Sequence, residues 1–392
     1  MDAATVRALQ DGAGVALLEE ATSAYGSEDA LALGTRLRAA GHPADLVSAA
    51  LTQARLRLRA VAKLGPDAAA LLYTADGLEQ ATRASVAQHR AARLASALGA
   101  GARVADLGCG IGGDLLALAA AGLDVTGYER DALTAEVARA NVAARGLTGR
   151  ASVLEADVTA VDRSPYAAVV CDPARRGVRG RTVAPETWEP PWSFAADLLR
   201  GDAVVKVAPG IAHERIPPDV EAEWVSDGGD LVEAALWSGR LTGGARRRAT
   251  VLPAGETLTE ADDPGAADVS PPLAHLYEPD DAVIRAGLVT AVAALVRGAL
   301  LDPKIAYVTA DALVATPYAR AYAVRDVLPY DEKRLRAWVR AHEVGSLTIK
   351  KRGVAVAPEQ LRRRLRPTGD RAATLVLTRT PTGARALVVD PA

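Results

Sequence analysis

The sequence has little lysine, almost no phenylalanine or methionine, and only two cysteines. Six Lys stand beside 40 Arg, and Phe and Met occur once each. Together with abundant Ala, this bias is what a GC-rich genome writes. A single Arg therefore says little about phosphate recognition, and only clustered Arg counts. Cys109 and Cys171 cannot build a disulfide framework, which fits a reducing compartment and a cytoplasmic location. The histidines, at 42, 89, 213, 275 and 342, include no pair at metal-ligand spacing, so no metal is expected. The longest apolar run, residues 286–296, stops at Arg297, short of the ~20 residues of a membrane span, so no membrane contact is expected. The opening MDAATVRALQD lacks a basic segment followed by an apolar one, so no secretory signal is expected. The net charge of −2 excludes a chain that is basic throughout, but not a local basic patch.

What is present is ample core. The 392 residues are 49% hydrophobic, enough for two or three folded domains. Residues 1–98 read as a helical domain, with apolar spacing of three and four through Leu46, Val47, Ala50 and Leu51 and again through Leu56, Ala60, Val61 and Leu64. From residue 99 the character changes. Strand-like runs at 103–108, 123–129, 151–157, 166–172 and 202–208 alternate with amphipathic stretches at 114–121 and 131–145. That alternation predicts an α/β domain over 99–252 with a doubly wound parallel sheet, closed at one edge by antiparallel strands beyond Gly210. Residues 253–280 contain five prolines and no Lys or Arg, and read as an acidic linker. A C-terminal α+β domain follows over 281–392, opening with a helix near 281–300. Between Asp331 and Arg379 it carries 13 basic and five acidic residues.

The sharpest motif is VADLGCGIGGD at 104–114, a strand entering a glycine-rich turn and then a helix. Such a turn lets backbone approach a ligand, and the helix start offers free N–H groups. Gly108, Gly110 and Gly113 match the dinucleotide spacing formally. Asp106 discriminates, because an acid two residues before the first glycine repels a pyrophosphate. It suits a cation, such as the ammonium and sulfonium of S-adenosylmethionine. Glu129 ends the second strand, where an acid accepts ribose hydroxyls. Asp157 ends the third and suits an adenine amine, with Arg130 and Val158 beside these acids completing the expected cofactor set. Cys109, inside the turn, contributes backbone. The fourth strand runs into VVCDPARRG at 169–177, placing Asp172 beside the transferable methyl, where it can accept a proton or a hydrogen bond from an attacking N–H or O–H. Cys171 reads as a small buried hydrophobe rather than a nucleophile. Trp188 and Trp192 either wall a substrate pocket or pack within a loop.

These motifs, in this order, resemble a class I S-adenosylmethionine-dependent methyltransferase with a seven-stranded Rossmann-like sheet. YTADGLEQAT at 73–82, YEPD at 277–280 and the LTIKKRG, LRRRL and TLVLTR runs of the tail are similar to bacterial methyltransferases ending in a THUMP-like domain. The resemblance implies that residues 74–83 pack over the cofactor. It also implies an RNA substrate, since THUMP domains proper bind RNA. Arg175 of the DPAR loop, with Arg362, Arg363 and Arg366 on an amphipathic helix, are the expected substrate contacts. Ala174 and Arg175 replace the Pro and aromatic of amino-methylating enzymes, which bears against exocyclic-amine chemistry. Val207-Ala208-Pro209 offers no cysteine for pyrimidine C5 chemistry. Transfer to a small molecule or protein, a non-catalytic RNA-binding protein with a vestigial pocket, and an NAD-dependent enzyme are the competing readings.

Overall fold

Short polar side chains set the first helices. Asp2 accepts from Thr5 N and Asp29 from Leu31 and Ala32 N, opening α1 (Ala3–Ala8) and α3 (Ala30–Ala39) on either side of α2 (Gly12–Ala24). The long α4 (Ala44–Leu64) buries Val47, Ala50, Ala54 and Ala60 along one stripe. Thr74 caps α5 (Ala75–Gln80), and α6 (Ala84–Leu98) leads into the sheet. The computed structural model describes all residues except 174–175, 178–179 and 182–187, with backbone alone at 176–177 and 180–181.

Strand and helix then alternate as expected: β1 (Arg103–Leu107), α7 (Gly113–Ala120), β2 (Asp124–Glu129), α8 (Ala132–Ala144), β3 (Ala151–Glu155) and β4 (Ala168–Cys171). After the short β5 (Arg176–Gly177) and β6 (Gly180–Arg181) come α9 (Trp192–Leu198) and β7 (Ala203–Val207). The parallel order is β7-β4-β1-β2-β3, so the winding reverses between β1 and β4. In open sheets ligands bind at the carboxyl ends of the strands at this switch point.

The chain divides into two compact units, and the divisions differ from those expected at 98, 252 and 280. The first comprises Met1–Val220 and Ala234–Gly243. No boundary falls at 98 because Leu17, Leu33, Leu37 and Val47 share one core with Ile111, Val137 and Ala140. Six strands of the sheet lie in this unit, the sixth being the end of β9 (Asp230–Trp237), antiparallel to β7.

The second unit comprises Glu221–Glu233 and Gly244–Ala392. It holds β8 (Glu221–Asp227), β10 (Arg247–Leu252) and β11 (Glu256–Thr259). The antiparallel expectation fails at β10, which runs parallel to β8. The backbone reaches β10 beside the start of β8, where Ala222 N donates to Arg246 O. The expected linker is also structured: β11 pairs with β10, and β12 (His275–Pro279) is a central strand of the next sheet. That sheet has the order β13-β14-β12-β15-β18-β17-β16. Its other strands are β13 (Ala299–Asp302), β14 (Ile305–Ala310), β15 (Ala319–Pro329), β16 (Val344–Arg352), β17 (Arg371–Thr380) and β18 (Gly383–Pro391). The helix expected near 281–300 is two, α10 (Asp281–Ala286) and α11 (Val289–Leu295), because Gly287 turns left-handed between them. On α12 (Glu332–Ala341) and α13 (Pro358–Leu365), Leu335, Val339, Leu361 and Leu365 share a core with Leu347, Ile349, Leu375 and Leu377. Among the described residues no helix is long and apolar enough to cross a membrane.

Candidate functional site

The turn after β1 is tied down by its own backbone. Gly108 and Cys109 N–H both donate to Tyr128 O at 2.9 and 3.1 Å, folding the turn over β2. Gly108 and Gly110 hold φ of 79° and 54°, a region that side chains disfavour. The turn opens into a cavity of about 600 Å³ at the carboxyl ends of β1, β2 and β4. Its lining includes Asp106, Gly108, Cys109, Gly110, Glu129, Arg130, Asp157, Val158 and Asp172, so every expected cofactor residue and the expected catalytic acid meet there. Thr74, Asp76, Gly77, Gln80, Ala81 and Thr82 also line it, placing the 74–83 segment at the same cavity.

Each acid has a distinct environment. Glu129 accepts from Gly110 N at 3.2 Å and Asp131 N at 3.0 Å, which fixes the carboxylate against the turn. Asp157 Oδ1 accepts from Thr159 N and Oγ1, and those two bonds hold its carboxyl below the ordinary value. Asp157 Oδ2 stays available. Arg130 pairs with Glu189 at 2.6 Å. Asp106 is 2% exposed, and its Oδ2 is buried with no hydrogen-bond partner. Burial first, then the Asp114 and Asp172 carboxylates, push it up to about 8 against the pull of Lys206 and Arg90.

Sequence reasoning missed further charges at the cavity, Asp114 and Lys206 in its lining and Arg90 paired to Asp114. Lys206 on β7 reaches Asp172 Oδ2 at 2.5 Å, Asp114 Oδ2 at 3.1 Å and Thr82 Oγ1 at 2.6 Å. Arg90 on α6 pairs with Asp114 Oδ1. Burial works against the charged form of Asp114, yet these two cations outweigh it and hold the carboxyl low. A signal was available: Lys206 interrupts an otherwise apolar central strand, where a lysine is rarely buried without a partner.

Other expectations divide. Cys171 is buried, as a small hydrophobe would be, and burial pushes both its thiol and that of Cys109 up. Trp188 packs edge-on to Trp192 at 6.0 Å rather than walling the cavity; Glu189, Pro190 and Pro191 line it instead. Arg175 lies outside the described residues. Arg362 and Arg363 lie on α13 and Arg366 directly follows it, in the second unit. Arg363 and Arg366 are exposed, but Arg362, expected to point outward, is half-buried because its Nε donates to Leu347 O at 2.7 Å. Lys350 and Arg352 pair with Glu278 and Asp281.

A Rossmann-like sheet with a glycine turn and acids at three successive strand ends is an arrangement that suits a nucleoside ligand. The comparisons narrow the class: the chain belongs to the S-adenosylmethionine-dependent methyltransferases. It is 41% identical over 339 residues to two uncharacterized members of that family from Mycobacterium tuberculosis, strains CDC 1551 and H37Rv, spanning 84% of this chain and 91% of each of theirs. Residues 104–175 match the family model described as a methyltransferase domain, residues 319–391 one described as THUMP domain-like, and residues 2–60 a domain of unknown function. The fold is similar to that of a solved protein from Porphyromonas gingivalis W83, provisionally assigned as a methyltransferase. The TM-score is 0.72 and the identity 22%, over 90% of this chain and 92% of that one. Its cofactor is therefore S-adenosylmethionine, and the cavity fits it: the orphaned Asp106 Oδ2 offers a buried acceptor to a cation. Among the described residues no group of His, Cys, Asp and Glu could hold a metal.

Proposed function

We propose that this methyltransferase acts on RNA, by in-line transfer to an N–H or O–H nucleophile presented at Asp172. The observation that carries the RNA reading is the THUMP-like match over 319–391, which spans α12, α13 and the exposed Arg363 and Arg366.

When bound, S-adenosylmethionine supplies an electrophilic methyl on a sulfonium. The residues of this chain do the rest by position. Gly108 and Gly110 admit the ligand close to backbone. Glu129, already oriented by Gly110 and Asp131, accepts from ribose hydroxyls. Asp157, with Oδ1 engaged by Thr159, keeps Oδ2 for an adenine amine. Arg130 and Val158 flank that end of the cavity. Asp106 meets the cationic end. Asp172, oriented by Lys206, accepts from the attacking group. In-line displacement at a sulfonium needs little acid–base help, so alignment and exclusion of water dominate. Residues 74–82 supply the cover, held through the bond from Lys206 to Thr82.

A second reading, transfer to a small molecule or protein, is favoured by one observation. Lys350, Arg352, Arg362 and Arg364 of the basic tail are engaged within the protein, which leaves a weaker patch than the sequence suggests. Mass spectrometry of RNA nucleosides from cells with and without the gene separates the two. Loss of one methylated nucleoside supports RNA; an unchanged nucleoside profile contradicts it.

A further inference from the structure

Five charged side chains converge at the cavity: Asp106 from β1, Asp114 from α7, Asp172 from the end of β4 and Lys206 from β7 line it, and Arg90 from α6 pairs with Asp114. All but Asp172 are nine-tenths or more buried. The cluster is short of positive charge, with three carboxylates against two cations. The ion pairs of both cations go to the other acids: Arg90 and Lys206 grip opposite oxygens of Asp114, and Lys206 also grips Asp172. Asp106 Oδ2 is left with no partner.

A buried carboxylate with an orphaned oxygen is expensive, and two things relieve it: a proton or an external cation. We propose that the two compete for the same oxygen, so that cofactor binding is an exchange in which the free protein holds a proton on Asp106 and releases it to solvent as the cationic end of S-adenosylmethionine takes its place. The balance is simple. One O–H bond on Asp106 breaks, the proton goes to buffer, and the ligand cation neutralises the carboxylate left behind.

The surroundings support this order of events. Facing Asp106 are the carboxylates of Asp114 and Asp172 and the cations of Arg90 and Lys206, with the Cys109 and Cys171 thiols close by. Burial pushes both thiols up, so they stay neutral and contribute no charge. Burial and the two acids push Asp106 up to about 8, so it carries its proton at neutral pH. Among the described residues no histidine lines the cavity to buffer the exchange. The inference rests on the cofactor and not on the RNA reading, which stands or falls separately.

The test is titration calorimetry on the full chain at pH 6.5, below the range where a ligand α-amino group titrates. Each ligand is run in buffers of low and high ionisation enthalpy, so that the difference counts protons released. S-adenosylmethionine and S-adenosylhomocysteine, both carrying the ammonium, are expected to release close to one proton per molecule bound. 5′-Methylthioadenosine, which has the same nucleoside and no positive charge, is expected to release none. The affinity for S-adenosylmethionine should rise with pH between 5.5 and 7, approaching about tenfold per unit for a full proton. Asp106→Asn should abolish both the release and the slope. Binding of S-adenosylmethionine with no proton released, or equal release by 5′-methylthioadenosine, overturns the exchange. The wild-type buffer series decides the matter even where the variant fails to fold.

Discussion

Lys206 and Asp172 form an ion pair of 2.5 Å at the carboxyl ends of adjacent parallel strands. The acid proposed to meet the attacking group is thus held by a buried cation. That cation is anchored independently on Asp114 and Thr82. Removing the acid therefore leaves Lys206 paired, which makes a clean separation of catalysis from folding possible.

Asp172→Ala is expected to lower methyl transfer by ~10²–10⁴ with no comparable weakening of S-adenosylmethionine binding, because the acid is proposed to meet the attacking group and not the nucleoside. Single-turnover transfer and cofactor titration on the same preparation check this. Normal turnover would reduce Asp172 to a strand cap.

Stability should depend on pH in opposite senses through two neighbours. Asp106 is pushed up from 3.8 to about 8, so the folded free protein holds a proton that the unfolded chain gives up. Its contribution is full below 3.8 and is lost as pH rises through 8, by up to about 1.4 kcal/mol per unit for a whole proton. Asp114 is held below 3.8, so its contribution is present above that value and is lost on acidification. Urea midpoints without cofactor should fall from pH 6 to 8 in the wild type. They should stay flatter in Asp106→Asn; parallel curves would contradict the assignment.

Gly77→Ala should cost ~1–3 kcal/mol and weaken cofactor binding, although Ala normally stabilises a helix by ~1 kcal/mol over Gly. A Cβ at Gly77 would press into Ile111 Cγ2 and Thr74 Oγ1, prying α5 from the glycine turn. Thermal midpoint and S-adenosylmethionine titration measure both effects. A gain in stability would show that α5 is loosely held.

Arg362 and its neighbours should behave differently. Arg362→Gln removes a half-buried bond to Leu347 O and should lower stability by roughly 1–3 kcal/mol. Arg363→Gln with Arg366→Gln should leave the fold intact and reduce the slope of log K for RNA against log salt by up to about 1.4, at ~0.7 per phosphate contact. An unchanged slope makes the pair ordinary surface charge.

The core was legible in the sequence because each strand ends in a residue whose chemistry differs from its apolar run. Asp106, Glu129, Asp157 and Asp172 all stand at such ends, and all reach one cavity. The charge cluster at that cavity was not, since Arg90 and Lys206 come from elements up to 116 positions apart and meet only through packing on Asp114. The 253–280 linker was misread for a related reason. Proline and acid look like surface chain, but β12 takes its central place between the distant β14 and β15, with Leu276 and Tyr277 buried there. Arg362 was misplaced because helical periodicity ranks faces by apolarity and takes no account of a carbonyl within reach of a guanidinium.

The most direct test of the central claim is transfer of label from methyl-labelled S-adenosylmethionine by the purified protein. The acceptors are RNA from cells lacking the gene and, in parallel, the small-molecule and protein fractions of the same cells. The expected result is label in one RNA nucleoside, absent when Asp172→Ala replaces the wild type and absent with RNA from cells that carry the gene. Label confined to the small-molecule or protein fraction would contradict an RNA substrate, and no label in any fraction would contradict transfer at Asp172.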